Sequence, residues 1–177
     1  MERTKSILGF NKNWYLKNMN IVKNILQKNI FNEIKNLFFN SYFGWYYQNC
    51  VNDKNDNHLQ FCHTFFDNNK INSDYFQNIL PIINFINPHE LIRIKANLLP
   101  KTEKIIEHGF HTDFKDCMTA VYYINTNNGY TKLIDDTIIQ SEENKLLTFD
   151  SNTKHTGTTC TDENVRIVLN INYLPKI

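Results

Sequence analysis

Apolar residues change their spacing near residue 91, and this change separates two parts of the chain. In the first part they recur at helical intervals, at positions 25, 26, 30, 31, 34, 37 and 38. This spacing predicts a helix that ends near residue 39. The preceding stretch, 20–26, is equally compatible with a short strand. Residues 1–20 show no clear period and predict a loosely packed arm.

The segments that follow this helix predict two strands and a loop. Residues 43–51 are rich in aromatic side chains, residues 58–66 alternate in polarity, and a polar loop at 52–57 separates them. In the second strand, His63 lies on the face opposite Cys62 because successive side chains point to opposite faces. We interpret His63 as a structural residue in preference to one that lines a substrate entrance.

Ser73 is predicted to cap a second helix that runs toward Asn87, with Pro81 kinking or restarting it. Beyond it, short apolar runs alternate with turn-forming residues, which predicts strands. We place these strands at 91–99, 107–113, 117–125, 130–134, 137–140, 145–150, 154–160 and 165–173. Eight short strands behind a part with helices are typical of a double-stranded β-helix, the jelly-roll or cupin-like barrel. The predicted fold class is mainly β with α, with N-terminal helices buttressing one sheet.

Length and composition narrow the class of protein. A chain of 177 residues fits one domain, with residues 1–90 supporting a core at 91–174. The net charge is +1 and no basic run flanks the polar motifs, so nucleic acid is not an expected partner. No apolar run approaches the roughly 20 residues of a membrane span, and no signal-peptide pattern opens the chain. The four cysteines lack CxxC spacing, which indicates reduced thiols and a cytoplasmic location.

His111 and Asp113 form a His-x-Asp pair inside one predicted strand. Residues two apart share a face of a strand, so the pair can bind one ion; on a helix the two side chains would diverge. His155 adds a second imidazole 42 residues after Asp113. Two imidazoles and one carboxylate with open positions form the facial triad of non-haem Fe(II) oxygenases. A zinc hydrolase with the same ligands would leave Arg166 without a role.

Arg166 follows His155 by 11 residues and is one of only three arginines in a chain rich in lysine. Where basic positions are mostly lysine, an arginine indicates that the planar fork is needed. That fork is suited to bind a carboxylate through two parallel hydrogen bonds. Alternation in the last strand places Val168 and Asn170 on the same face as Arg166.

The order His-x-Asp, distal His, Arg resembles the 2-oxoglutarate/Fe(II)-dependent oxygenase superfamily, in particular its prolyl-hydroxylase-like branch and the short oxygenases carried by marine phages. The resemblance covers roughly residues 91–174. Its motifs lie at 117–125, 127–130, 147–155 and 165–173, and it continues more loosely at 43–47 and 60–63. It implies the jelly-roll fold, Fe(II) bound by His111, Asp113 and His155, 2-oxoglutarate and O₂ as co-substrates, and ascorbate as an optional further cofactor.

The resemblance also implies roles for three residues on the predicted strands. Arg166 would bind the distal carboxylate of 2-oxoglutarate, and Asn170 would lie beside that carboxylate. Tyr123 would add a phenol hydrogen bond, although it is equally interpretable as a core aromatic residue.

The first strand of the predicted barrel departs from the family pattern. Relatives commonly carry a tyrosine just before the proline at this place, whereas this chain has Leu99 before Pro100. Asn97 or Lys95 is the predicted substitute for the tyrosine contact, because both alternate onto the same face as Leu99. Each is also interpretable as a solvated residue at the barrel rim.

The implied activity is hydroxylation of a C–H bond with release of succinate and CO₂. Because Asp113 is present, no coordination site is left for halide, which favours hydroxylation over halogenation. The expected substrate is a peptidyl, prolyl-like group or a small molecule, and the expected location is the host cytoplasm if the gene is viral. The alternative is a non-catalytic jelly-roll binding module, since a fold does not fix a function. The oligomeric state stays open.

Overall fold

The computed structural model describes residues 19–51 and 58–176, which form two antiparallel β-sheets and two α-helices. The helices are α1, Lys28–Phe38, and α2, Leu80–Ile86, which follows a 3₁₀ segment at Asp74–Ile79. The strands are β1 Asn20–Lys23, β2 Tyr46–Gln48, β3 Gln60–Asp67, β4 Lys70–Ile71, β5 Glu90–Pro100, β6 Met118–Tyr123, β7 Tyr130–Leu133, β8 Ile138–Gln140, β9 Lys145–Asp150, β10 His155–Gly157 and β11 Val165–Leu174. In the described part of the chain, no helix is long and apolar enough to cross a membrane.

The larger sheet has the order β1-β9-β6-β11-β5-β3-β2, with β4 paired to β3. The smaller sheet has the order β10-β7-β8. The central pair of the larger sheet is β5 and β11, which run antiparallel over ten register positions with one bulge at Asn172/Tyr173. Two facing antiparallel sheets with helices on the outside confirm the predicted jelly-roll class.

Alternation along the central strands divides the core into two layers. On β11, Ile167, Leu169 and Ile171 point to the helix side and join Phe31 and Phe38 of α1 in one buried cluster. The helices therefore buttress one face of the larger sheet, as predicted. On the other face, a second cluster fills the space between the sheets. Its members are Val121, Tyr123, Leu133, Ile139, Leu147, Phe149 and Val168.

The N-terminal elements are shorter than predicted. Residues 20–26 were predicted to form either the start of the helix or a short strand. The first four of them form strand β1, which pairs with β9. The helix begins only at Lys28, because Asn24 adopts a left-handed φ of 53° and Gln27 is extended. The strand predicted at 43–51 is reduced to Tyr46–Gln48. Most of the predicted arm lies outside the described residues.

The second helix follows its predicted signals. The Ser73 hydroxyl accepts a hydrogen bond from the backbone N–H of Tyr75 at 3.1 Å, and the first turn is a 3₁₀ helix. Pro81 lies in the first turn of α2, so it restarts the helix, where its missing N–H costs no hydrogen bond. Asn87 ends α2 in a left-handed conformation.

Seven of the eight strands predicted after residue 90 are present, and the strand at 107–113 is not. That segment forms only isolated bridges, Glu107 to Thr158 and His111 to His155. Between the two bridges, residues 108–110 on one segment face only residues 156–157 on the other. The extra residue makes the segment bulge and interrupts regular pairing. The same bulge limits β10 to His155–Gly157 instead of 154–160.

Asn144 connects the N-terminal segment to the sheet, and its loss should destabilise the protein. It adopts a left-handed φ of 58°. Its Oδ1 accepts hydrogen bonds from Leu26 N–H at 3.1 Å and the Tyr122 hydroxyl at 2.9 Å, and its Nδ2 donates to the Leu26 carbonyl at 2.8 Å. Glycine readily adopts the left-handed backbone conformation of this position, so Asn144→Gly removes only the side chain. The variant should lower the free energy of unfolding by about 2–4 kcal/mol, because Leu26 and Tyr122 lose their hydrogen bonds to Asn144.

Urea unfolding measures this prediction, with Asn144→Ala as the matched variant. Alanine adds backbone strain at positive φ to the same loss of hydrogen bonds, so it should be the less stable of the two. Equal stability of Asn144→Gly and the wild type would show that these hydrogen bonds contribute nothing net.

Candidate metal centre

His111, Asp113 and His155 converge at one end of the barrel. Their ligand atoms all lie within 4.8 Å of one another. The Nε2 atom of each histidine is 3.9 Å from an Asp113 carboxylate oxygen. Two atoms bound to the same ion at about 2.1 Å can be about 3–4 Å apart, so a small side-chain adjustment closes this set around a metal. The bridge between His111 and His155, and not a continuous strand, brings the distant imidazole to the pair.

The two imidazoles are oriented for metal binding. Nδ1 of His155 lies 3.1 Å from the Thr153 carbonyl oxygen, and Nδ1 of His111 lies 3.4 Å from the Gly109 carbonyl oxygen. A carbonyl only accepts, so each Nδ1 carries the hydrogen and each Nε2 keeps its lone pair. Burial, followed by the charge of His155, lowers the pKa of His111. His111 is therefore the neutral ligand form near pH 7.

Asp113 is buried and strongly hydrogen-bonded. Its Oδ2 accepts from Asn172 Nδ2 at 3.0 Å, the Thr119 hydroxyl at 3.1 Å and Asn170 Nδ2 at 3.3 Å. Burial alone would raise the pKa of Asp113, but the electrostatic effect of His155, the Asn172 hydrogen bond and the Arg93 guanidinium outweigh it, so the pKa is lowered. The carboxylate is held ionised and fixed in direction, as a metal ligand requires.

Arg166 lies on the face of β11 that also carries Asn170 and Asn172, at the end of the strand away from the metal ligands. It is almost completely buried, with 2% of its surface exposed. Its Nε donates to Ser141 Oγ at 2.8 Å, and its Nη2 donates to Thr131 Oγ1 at 3.2 Å. Burial lowers the pKa of Arg166, yet a guanidinium stays charged near pH 7. Among the described residues no carboxylate pairs with it. A buried cation without a counter-charge is costly, so the site favours an anionic ligand.

Gly129 is required for the position of Arg166. A Cβ at residue 129 would lie 2.7 Å from Arg166 Cδ and 2.7 Å from the Thr159 carbonyl oxygen. Its φ is not positive, so the requirement is space and not backbone conformation. Gly157 is also close, with a Cβ there 3.4 Å from Arg166 Nη1.

A cavity of about 330 Å³ connects the metal ligands with Arg166. On β5, the residues that alternate toward it are Arg93, Lys95, Asn97 and Leu99, as predicted. The amide oxygen of Asn97 accepts from the Cys62 thiol at 3.4 Å. His63 does not line this cavity; its ring contacts the Gly44 carbonyl at 2.6 Å and Ser73 Oγ at 2.7 Å, which agrees with a structural role.

The structure places Tyr123 below the cavity and not in its lining. The side chain is fully buried, and its hydroxyl donates to Thr131 Oγ1 at 2.9 Å. Burial raises the pKa of Tyr123 to about 12. Its one hydroxyl hydrogen is therefore used within the protein, which fits the core interpretation. The expected contact of Tyr123 with the co-substrate stays a prediction.

Asn170 lies at the metal end and not beside the Arg166 guanidinium. In the sheet, Arg166 is opposite Leu99 and Asn170 is opposite Lys95. Four residues of strand separate the two side chains by roughly 13 Å. This separation disfavours the expected place of Asn170 beside a carboxylate bound by Arg166, which stays a prediction.

Four polar residues of the site were not singled out from the sequence: Thr119, Thr131, Ser141 and Asn172. Asn172 continues the alternation of β11 beyond Asn170, so period-two counting could have found it. Thr131 and Ser141 reach Arg166 only because the smaller sheet folds over the larger one, and no local pattern indicates that contact.

The two facing sheets, with the two-histidine, one-carboxylate cluster between them, have the fold of the 2-oxoglutarate/Fe(II) oxygenases. At the level of fold, the predicted resemblance to that superfamily and its prolyl hydroxylases is confirmed by solved structures. No family model matches the chain, and no curated protein sequence matches it.

Three solved structures illustrate the likeness. A prolyl hydroxylase from Trichoplax adhaerens, in complex with a hypoxia-inducible-factor peptide fragment, has a TM-score of 0.65 at 13% identity, covering 88% of this chain and 83% of that chain. The α-ketoglutarate-dependent epimerase SnoN from nogalamycin biosynthesis has a TM-score of 0.63 at 11% identity, covering 89% and 77%. A Pseudomonas putida prolyl-4-hydroxylase has a TM-score of 0.59 at 12% identity, covering 88% and 92%.

Proposed function

We propose that this protein is an Fe(II)- and 2-oxoglutarate-dependent dioxygenase that hydroxylates a C–H bond of its substrate. The observation that carries the proposal is the pairing of two features in one cavity. At one end are three ligands with the composition of a facial triad, and at the other is a buried guanidinium without a carboxylate partner among the described residues. A non-catalytic binding module has no need for both together.

His111, Asp113 and His155 would bind the iron, with the two Nε2 atoms and the carboxylate as ligands. This donor set suits Fe(II) and leaves positions for other ligands. When bound, iron with 2-oxoglutarate and O₂ would supply oxidative decarboxylation to succinate and CO₂, coupled to hydroxylation of the substrate. Ascorbate is an optional further cofactor in this proposal.

Arg166 would bind the distal carboxylate of 2-oxoglutarate. Ser141 and Thr131 fix its guanidinium by hydrogen bonds, so little side-chain entropy is lost on binding. The Thr131 oxygen already accepts from Arg166 and from Tyr123, so its own hydrogen is available to the cavity that it lines. Thr131 would thus supply the hydroxyl contact that was expected from Tyr123.

The substrate class proposed here is a peptidyl group or a small molecule. Solved structures of the same fold include one with a peptide fragment and one with nogalamycin RO, which supports both options. Nucleic acid is disfavoured because the net charge is only +1 and no run of basic residues flanks the metal ligands in the sequence. The four cysteines are free thiols, which supports the cytoplasm as the proposed location.

An anaerobic titration tests this function. Addition of Fe(II) and 2-oxoglutarate to the protein should produce the weak visible charge-transfer band of a chelated 2-oxo acid, and admission of O₂ should yield succinate. Zn(II) in place of Fe(II) is the matched control, because it fills the same ligands without redox chemistry. A protein that gives neither the band nor succinate with Fe(II) is a binding module and not an oxygenase.

A further inference from the structure

We propose that Lys95 forms an anion subsite beside the metal centre, and that the primary substrate is a small organic acid whose carboxylate binds there. The inference rests on the proposed function, because it concerns the second substrate of the same cavity. It narrows the substrate class from a peptidyl group or small molecule to a small acid.

Lys95 lies at the metal end of the cavity. On β5 it lines the cavity wall, and its register partner on β11 is Asn170. The Asn170 amide contacts Asp113 at 3.3 Å, so Lys95 lies at the level of the metal ligands. Arg166 is roughly 13 Å further along the sheet and is fixed at its own end by two hydroxyls. The two cations are therefore placed to bind different carboxylates.

Lys95 has no hydrogen-bond or ion-pair partner among the described residues, and it is only partly buried. Its neighbour Arg93 differs, because Arg93 Nη2 lies 3.6 Å from Asp113 Oδ1 and donates to Asn172 at 3.3 Å. The Arg93 guanidinium also stacks on Phe114 at 4.8 Å. Arg93 is thus a structural cation, whereas the Lys95 ammonium is left for a ligand.

The charge balance of the cavity favours an anion after the metal and co-substrate are bound. Among the described residues, three cations line it, Arg93, Lys95 and Arg166, against one carboxylate, Asp113. A divalent ion and the dianion 2-oxoglutarate would cancel each other, so the excess of positive charge persists. In a partly desolvated cavity this excess attracts a negatively charged substrate.

Asn170 adds a second recognition element next to Lys95. Its Oδ1 is buried and has no hydrogen-bond partner among the described residues. The amide orientation is fixed, because its Nδ2 donates to a carboxylate that only accepts. A buried acceptor without a partner is unfavourable, so a small side-chain shift that let Asn170 Oδ1 accept from an N–H next to the bound carboxylate would be stabilising. An N-acyl amino acid carries such an N–H beside its carboxylate. The cavity of about 330 Å³ must also hold the co-substrate, which favours a small molecule over a peptide.

Calorimetric titration of the anaerobic Fe(II)- and 2-oxoglutarate-loaded protein tests the subsite. The probes are the N-acetyl derivatives of L-leucine, L-glutamine and L-tyrosine, each paired with its carboxamide, so that each acid is an anion with an adjacent N–H and each amide is neutral. We expect at least one acid to bind about 10-fold or more tightly than its amide, as a charge-assisted hydrogen bond predicts. Lys95→Gln should reduce this preference to less than about twofold. Lys101→Gln, an exposed lysine outside the cavity, should keep the preference.

Three outcomes would overturn the proposal. Amides that bind as well as acids, or acids that do not bind, would remove the anion subsite. An unchanged acid preference in Lys95→Gln, with weaker 2-oxoglutarate binding, would make Lys95 a co-substrate residue. Tighter binding of acidic peptides than of free acids would exclude a small acid. The charge-transfer band is recorded first in the same samples, so its absence contradicts the proposed function, whereas its presence without acid preference contradicts this inference alone.

Discussion

Asp113→Ala should weaken Fe(II) binding by more than about 100-fold and remove succinate formation. Loss of a residue that hydrogen-bonds to a metal ligand typically lowers metal affinity by about 10–100-fold. Loss of a ligand itself should lower it more. Asp113 supplies the only carboxylate among the described residues of the cluster. Without it, only the two imidazoles remain, and the carboxylate of the two-histidine, one-carboxylate set is lost.

Asn172→Ala is the matched control for this prediction. Asn172 donates to Asp113 at 3.0 Å but supplies no ligand atom, so its loss should weaken iron binding by about 10–100-fold and leave measurable activity. His111→Ala is a second ligand variant with less effect on folding, since that side chain is 32% exposed against 5% for Asp113. Anaerobic Fe(II) titration, with urea unfolding alongside, measures all three. Retention of the charge-transfer band in both ligand variants would falsify the assignment.

Arg166→Gln should raise the Kd for 2-oxoglutarate by roughly 30-fold to several thousand-fold, with little change in iron affinity. The range corresponds to about 2–5 kcal/mol for removing one partner of a buried, hydrogen-bonded charge pair. Titration of the anaerobic iron-loaded protein with 2-oxoglutarate measures it. Because Arg166 has no carboxylate partner among the described residues, the metal-free variant should unfold at no lower urea concentration than the wild type.

Gly129→Ala tests the same role without changing a charge. The added methyl group would lie 2.7 Å from Arg166 Cδ, so the guanidinium must shift, and the Kd for 2-oxoglutarate should rise by about 10-fold. Gly109→Ala is its matched control, because a Cβ there meets no heavy atom within 4 Å. Unchanged co-substrate affinity in both Arg166→Gln and Gly129→Ala would assign the anchor to another cation.

Period-two alternation was the most informative feature of the sequence. It placed Arg166, Val168 and Asn170 on one face of β11, and Lys95 and Asn97 on one face of β5, and these residues line the cavity. Alternation works here because each central strand has one face against the helices and the other toward the cavity. The side-chain direction then follows from local geometry alone.

Local geometry did not predict which partner each side chain meets. Tyr123 and Asn170 lie on the expected faces, but Tyr123 contacts Thr131 and Asn170 contacts Asp113. Both contacts depend on the depth of a side chain and on the register between strands that are distant in sequence. A single sequence does not contain that register.

The sequence by itself determined the class of fold, and it identified three metal-ligand candidates and Arg166 as a candidate co-substrate residue, because each depends on residue type and short-range spacing. Tertiary structure alone decided that 107–113 bulges instead of forming a strand, and that Gly129, Thr131 and Ser141 position Arg166. It also decided that Lys95 lies beside the metal ligands, with no hydrogen-bond or ion-pair partner among the described residues. The physical reason is that these features arise where two sheets close on each other, and the packing of distant segments is set by the whole chain and not by local propensity.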